Sequence, residues 1–335
     1  MKFILPFLFS FLLSIVAIGF LLRAVIYSRA KISEFRNLSF RKRFGGAVVI
    51  LVFILVVLLN KNLVITKPIE GILIGGLLIL LFGLWDDLKN LNWKWQLIAQ
   101  MIVSLVAISL GVKSDYVTNP WGGVITLSQP FLYFSLFTLY FLLFINSLNW
   151  LDGLDGLSGS VTLVGLAVIF FLSLLPHVNQ PAVAILSAIA GGAILGFLVF
   201  NWHPAKIMAG TSGAWFFGFL LASLSIFAGA KIATVLLVSL IPILDLVLVV
   251  WKRYRAGNSI FQGGDSRHLH YQLLKLGLKE RQIVVLVSVI SAIVGLVALN
   301  LGAVGKVLFI AVFSVVYFLL LRIFEIKISK IAQSK

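Results

Sequence analysis

Long runs of apolar residues, almost free of charge, recur along this chain and limit what it can fold into. They lie near 3–26, 45–59, 70–85, 96–112, 130–149, 157–175, 182–200, 214–229, 231–251, 281–299 and 304–324. A helix needs roughly 20 apolar residues to cross the hydrocarbon of a bilayer, and there every backbone N–H and C=O must be paired within the protein. The runs therefore predict an all-α, polytopic integral membrane protein of about eleven transmembrane helices. Composition agrees: the chain is 61% hydrophobic and 11% charged, against about 45–50% apolar and about 25% charged in soluble domains. No stretch of mixed composition is long enough to bury a separate core, so 1–335 reads as a single polytopic domain. The first run is too long for a secretory h-region, lacks a small-residue cleavage site and is followed by Arg23, Arg29 and Lys31, which predicts a retained helix. The absence of cysteine excludes disulfides and thiolate ligands, leaving oxygen and imidazole for any metal.

The chain carries 27 Lys and Arg against 11 Asp and Glu, a net charge of +16. In a soluble protein that excess would suggest nucleic acid; in a membrane protein the positive-inside rule accounts for it. Alternating the runs across the bilayer places 21 of the 27 basic residues on one face. Only Lys2, Lys61, Lys67, Lys113, Lys231 and Lys306 fall on the other. The basic face is expected to be cytoplasmic, with the N-terminus outside and the C-terminus cytoplasmic. Cytoplasmic loops are then expected at about 27–44, 86–95, 150–158, 201–213 and 252–280, and no nucleic-acid partner is expected. Of the 11 acids, only Glu70 and Asp115 lie on the outer side. That bias suits a catalyst acting on a cytoplasmic substrate at the membrane surface. A transporter would need charges deep within several spans, and only Asp245 fits.

Four clusters carry the chemistry. Asp86 and Asp87 close the third run; two adjacent carboxylates repel unless a cation sits near them, and Mg²⁺ is the usual cation for such oxygen sites. The alternative is a solvated helix end whose acids meet Lys89 and Lys94. The run from Asn146 to Gly159 reads Asn-Ser-Leu-Asn-Trp-Leu-Asp-Gly-Leu-Asp-Gly-Leu-Ser-Gly. Asn146 and Asn149 share a helix face, and Asp152-Gly153 and Asp155-Gly156 then break the helix where backbone can approach a ligand. Turn chemistry alone is the competing explanation. Asn201-Trp202-His203-Pro204-Ala205-Lys206 precedes a helix start at Gly210-Thr211-Ser212-Gly213, whose free amides form a natural anion site or a plain cap. Finally, the loop from Lys252 to Arg281 contains Arg267-His268-Leu269-His270 and a short amphipathic helix stopping at Gly277, with leucines expected in the membrane interface. Arg and His suit a diphosphate; a headgroup-binding surface helix is the alternative. Asp245, inside the ninth run, is a functional candidate or the partner of Lys252 or Arg253.

In order along the chain these motifs resemble the polyprenyl-phosphate N-acetylhexosamine-1-phosphate transferases. The match begins at Arg43-Phe44-Gly45-Gly46, runs through Asp86-Asp87, the doubled Asp-Gly run and Asn201 to Ala205, and reaches Arg267-His268-Leu269-His270. The resemblance implies transfer of a HexNAc-1-phosphate, GlcNAc-1-phosphate first among them, from a UDP-sugar to polyprenyl (undecaprenyl) phosphate with release of UMP. A phospho-MurNAc-pentapeptide transferase, or an impaired polyprenyl-phosphate-binding homologue, is the alternative. The implied cofactor is Mg²⁺, with Mn²⁺ as a substitute, held by Asp86, Asp87 and Thr211. Asp86, Asp87, Asp152 and Asp155 are the implied catalytic residues, and Arg43, Lys94, Asn146, Asn149, Asn201, Arg267, His268 and His270 the substrate-binding ones. Localisation in the plasma (inner) membrane and compatibility with a homodimer follow from the same resemblance. Thr211 departs from the family, which has Asp there, and Tyr271 ends a His-x-His-His pattern.

Overall fold

A computed structural model describes residues 1–31, 43–227, 232–259 and 267–333. Arg41, Lys42 and the Gly263–Ser266 stretch of the fourth cluster lie outside them. The described residues form α1 (Ile4–Lys31), α2 (Gly45–Leu59), α3 (Lys67–Lys89), α4 (Trp93–Ser109), β1 (Tyr116–Thr118), β2 (Val124–Thr126), α5 (Pro130–Leu151), α6 (Leu157–Leu174) and α7 (Pro181–Asn201). Then follow α8 (Gly210–Phe227), α9 (Ile232–Val238), α10 (Leu240–Arg255), α11 (Leu269–Lys275), α12 (Glu280–Asn300) and α13 (Ala303–Gln333). Each of the eleven apolar runs falls on one of these helices, or on the α9–α10 pair.

Among the described residues, eight helices are long and apolar enough to cross a bilayer, nine if α9 and α10 form one bent span. The expected eleven also counts α2 and α4, which have only 15 and 17 residues. At about 1.5 Å per residue these reach roughly 22–26 Å, less than the ~30 Å of hydrocarbon. The chain is a multi-pass, all-α membrane protein, with one addition that the apolar runs did not announce. Between α4 and α5 a small antiparallel hairpin pairs Tyr116 with Thr126 and Thr118 with Val124. It sits at the end of the bundle opposite the carboxylate pair, because α4 starts beside Asp86 and runs away from it.

The centre of the bundle is α8, on which fifteen residues from Ser212 to Ile226 are buried, including Trp215, Phe216, Phe217 and Phe219. A helix apolar on all sides belongs inside a larger assembly. The outer surfaces of α1 and α13 keep large residues such as Phe20 and Leu319 exposed, as a lipid-facing surface requires. α3 crosses α8 closely at Gly83, where a Cβ would collide with the Cα of Ser212. Small residues let membrane helices approach at backbone distance, and this approach delivers the next turn of α3, Asp86 and Asp87, to the N-terminus of α8. α9 and α10 meet at 75°. Pro242 has no N–H to offer the carbonyl of Val238, so the helix cannot run straight through the junction.

Candidate active site

Asp86 and Asp87 are almost wholly buried, at 5% and 2% exposure. Asp87 closes the N-terminus of α8: its Oδ1 accepts from the Thr211 amide at 2.8 Å, and its Oδ2 from the Ser212 amide at 3.2 Å and the Ser212 hydroxyl at 3.1 Å. The first amides of a helix have no intrahelical acceptor and carry its positive dipole end. The amides expected to be free for an anion are therefore already taken by a carboxylate of the protein. Asp86 Oδ1 accepts from the Leu91 amide at 2.9 Å and the Gln96 side chain at 2.8 Å, and Oδ2 accepts from the Thr211 hydroxyl at 2.6 Å. Gln96 was not singled out from sequence. Neither Lys89 nor Lys94 forms an ion pair with the two acids among the described residues; Lys94 is exposed, with Nζ 5.7 Å from the Trp93 ring.

Each carboxylate oxygen has two lone-pair directions. After these six bonds one remains on Asp86 Oδ2 and one on Asp87 Oδ1. The pair is thus positioned by the protein yet keeps an acceptor direction on each residue, and the Thr211 oxygen lies beside them. Arg43 belongs to the turn that docks here: the Gly45 and Gly46 amides donate to the Met208 and Ala209 carbonyls, each at 3.0 Å.

The doubled Asp-Gly run forms the next wall. Asp152 caps α5 and accepts from the Ser158 hydroxyl. Its carboxyl is pushed up to about 7, mainly by loss of solvent, with Asp87 and Asp155 adding repulsion against the Ser158 bond. Asp155 Oδ2 accepts from the Ala205 amide at 2.9 Å and lies 3.0 Å from His203 Nδ1. The same imidazole nitrogen is 3.0 Å from Glu280 Oε2, so α12 joins the group. His203 lies inside the 201–206 run, which assigns it no role, and Glu280 lies in no motif; neither has a spacing signal, because segments far apart in sequence bring them together.

The asparagines are more committed than their spacing suggested. Asn201 accepts from the Gly156 amide at 2.9 Å and donates to the Ile207 carbonyl at 2.8 Å, tying the Asp-Gly run to the loop before α8. Asn146 donates to Gln100 at 2.7 Å and to the Leu142 carbonyl at 2.8 Å. Asn149, partly exposed, makes no hydrogen bond among the described residues. Beside Asn146 an open trough of about 290 Å³ runs between α4, α5 and α10, lined by Leu97, Leu142, Val250 and Trp150 with Gln96 and Gln100.

The histidines complete the site. Asp245 does not pair with the basic turn beyond it. Its Oδ2 accepts from His268 Nδ1 at 2.7 Å, and its Oδ1 accepts from the Leu269 amide at 2.8 Å and the Tyr317 hydroxyl at 3.3 Å. Lys252 instead meets Glu325, and Arg253 lies 4.9 Å over Trp150. α11 forms as expected and ends before Gly277 at a positive φ of 93°. Its apolar face packs on protein rather than in the membrane interface: Leu273 is 5% exposed, in a core cluster with Leu148 and Leu321. His270, 1% exposed, has no hydrogen-bond partner on either ring nitrogen among the described residues. Its ring covers Gly153, where a Cβ would strike Nε2, so only glycine admits it. Loss of solvent lowers its pKa to about 4, so the ring is neutral near pH 7. Arg267 stands at the mouth of a second groove, between α10 and α13.

Comparison with known proteins places the chain in a family. Residues 69–229 match the family described as glycosyl transferase family 4. A decaprenyl-phosphate N-acetylglucosaminephosphotransferase of Mycobacterium tuberculosis is 31% identical over 275 residues, 75% of this chain and 67% of the relative. The corresponding protein of Mycobacterium leprae is 31% identical over 253 residues, 68% of this chain and 63% of the relative. A phospho-N-acetylmuramoyl-pentapeptide-transferase of Halalkalibacterium halodurans is 34% identical over 125 residues, covering only 37% of this chain and 38% of that protein. With its carboxylate pair, doubled Asp-Gly run and histidine loop gathered at one end of a membrane bundle, this chain belongs to glycosyl transferase family 4 and is a relative of the polyprenyl-phosphate N-acetylglucosamine phosphotransferases.

Proposed function

We propose that this protein transfers N-acetylglucosamine-1-phosphate from a UDP-sugar to polyprenyl phosphate on the cytoplasmic side of the plasma membrane. A phosphate oxygen of the lipid forms a bond to the β-phosphorus of the donor, the bond between that phosphorus and the bridging oxygen breaks, and UMP leaves. The observation that carries this reading is the unpartnered His270, buried against the Asp-Gly run whose Asp152 feels the charge of Asp87. A buried polar group without a partner costs about 1–3 kcal/mol, and an anionic ligand oxygen is the partner that would recover it. The trough beside Gln96 and Asn146 gives an apolar tail a path from the bilayer to a residue that bonds Asp86.

The donor set fits a divalent cation. Asp86 and Asp87 each keep one open acceptor direction, and a small hard cation with retained waters needs one or two carboxylates plus substrate phosphates. Asp86 and Asp87, with the Thr211 oxygen, would hold Mg²⁺, which supplies charge neutralisation between two anionic substrates. Asp152 and Asp155 face the donor and His270 reaches its diphosphate, whereas His268 is committed to Asp245 and Arg267 lines the groove beyond α10. Asn201 acts through backbone, shaping the pocket rather than touching the sugar.

The test is transfer of label from UDP-GlcNAc to undecaprenyl phosphate with Mg²⁺. Label transfer that persists in both Asp87→Asn and Asp155→Asn refutes the assignment. Thr211 favours a second reading, a homologue that holds polyprenyl phosphate with weak turnover, because its hydroxyl brings no charge to the pair. In that case wild type is nearly inactive, and Thr211→Asp gains turnover and Mg²⁺ affinity together.

A further inference from the structure

On the face of α10 away from the trough, a second and larger groove of about 810 Å³ opens between α10 and α13. It is graded along its length. Val247, Leu248, Phe318 and Leu321 make an apolar floor at the end nearer the middle of the bundle, whereas Lys252, Arg255 and Arg322 stand at the other end. Val247 and Phe318 remain 45% and 37% exposed. Helical spacing produces the gradient: 247, 248, 251, 252 and 255 share one face of α10, and 318, 321, 322 and 325 one face of α13. The groove's single acid, Glu325, pairs with Lys252. Arg255 is held 4.6 Å over the Trp251 ring. That leaves two guanidinium groups, on separate helices, without an acid among the groove's lining residues.

We propose that this groove binds an anionic membrane phospholipid, with its acyl chain along Val247, Leu248, Phe318 and Leu321 and its phosphate between Arg255 and Arg322. Charge complementarity selects the occupant. A zwitterionic lipid carries its own cation beside its phosphate and would leave the two guanidinium charges only partly offset. The polyprenyl phosphate of the proposed reaction has its own trough across α10, next to Gln96 and Asn146. Guanidinium groups also match phosphate oxygens in planar, two-pronged geometry. Arg267, which also lines the groove, is one residue from His268, so the bound lipid would lie next to the segment that presents His270.

The experiment is native mass spectrometry of the purified, detergent-solubilised full chain titrated with phosphatidylglycerol or phosphatidylcholine of identical acyl chains. Phosphatidylglycerol is expected to be retained in preference, by about fivefold for each guanidinium. The double variant Arg255→Gln/Arg322→Gln should bind the two lipids equally, and Arg255→Lys/Arg322→Lys, which keeps the charge, should retain most of the preference. Thermal melts of each variant establish that the bundle is intact. Equal binding of the two lipids by the wild type overturns the proposal. So does a preference that survives the double Gln variant in a folded protein. Displacement of phosphatidylglycerol by undecaprenyl phosphate, with a higher KM for that acceptor in the double Gln variant, would make the groove an acceptor site and also overturn it. Loss of label transfer in Asp87→Asn bears only on the catalytic reading and leaves lipid retention unchanged.

Discussion

The two sides of the site are buried to the same degree but completed differently. Asp86 and Asp87 accept six hydrogen bonds between them, from α4, the turn before it and the start of α8. His270, equally buried, accepts and donates none among the described residues. A carboxylate pair cannot wait for its ligand in a low-dielectric setting, because two unpaired charges there are too costly. The protein therefore fixes the pair with helix-end amides and hydroxyls and leaves one acceptor direction on each. A neutral imidazole is cheap enough to leave unfinished, and that is where a ligand can gain most.

The largest effect is expected for Asp87→Asn. It removes a charge and turns an NH₂ toward the α8 amides, so label transfer should fall on the order of 10²–10³-fold, with a lower melting temperature. Next come the two histidines, which should separate cleanly. His268→Ala takes one of the three hydrogen-bond partners of the buried Asp245 and should cost about 3 kcal/mol in unfolding experiments. His270→Ala removes a group with no partner, so stability should hold while KM for the UDP-sugar rises roughly tenfold to a hundredfold. Equal destabilisation by the two would break the contrast.

The pH dependence sharpens it further. The folded-state pKa of His270 is lowered from 6.5 to about 4, so on acidification the unfolded chain takes up this proton first. The His270 contribution is then full above pH 6.5, falls as pH drops from 6.5 towards 4 and levels off below that, while the raised Asp152 carboxyl contributes in the opposite sense. In thermal melts across this range, the stability of wild type relative to His270→Gln should fall as the pH is lowered, and a constant difference would remove the His270 contribution. The smallest effect is Thr211→Val, which removes one hydrogen bond to Asp86 and should cost about 1 kcal/mol. Thr211→Ser should restore it, and a Val variant as stable as wild type would show that the Asp86 contact contributes nothing.

Much of this was legible in the sequence. The apolar runs placed every long helix, since in lipid a hydrophobic run has no alternative to a helix. The motifs marked Asp86, Asp152, Asp155, His268 and His270 because acids and imidazoles are scarce in such a chain. The partners were not legible. Gln96, His203 and Glu280 are ordinary polar residues near helix ends, and nothing in their spacing connects them to the acids they meet. The hairpin at 116–126 was missed because its strands have three residues each, too short for an alternating pattern to register.

The sequence by itself determined a membrane-embedded helical protein, with most of its few acids and histidines expected towards one end. The tertiary structure alone decided how those groups are finished. Asp245 bonds His268 rather than the nearby basic turn, the amides of α8 belong to Asp87, and Asn201 ties two loops together. The reason is that hydrophobicity is a property of a segment and can be read locally. Hydrogen-bond satisfaction belongs to pairs of atoms, and those pairs exist only once distant helix ends have been packed against one another.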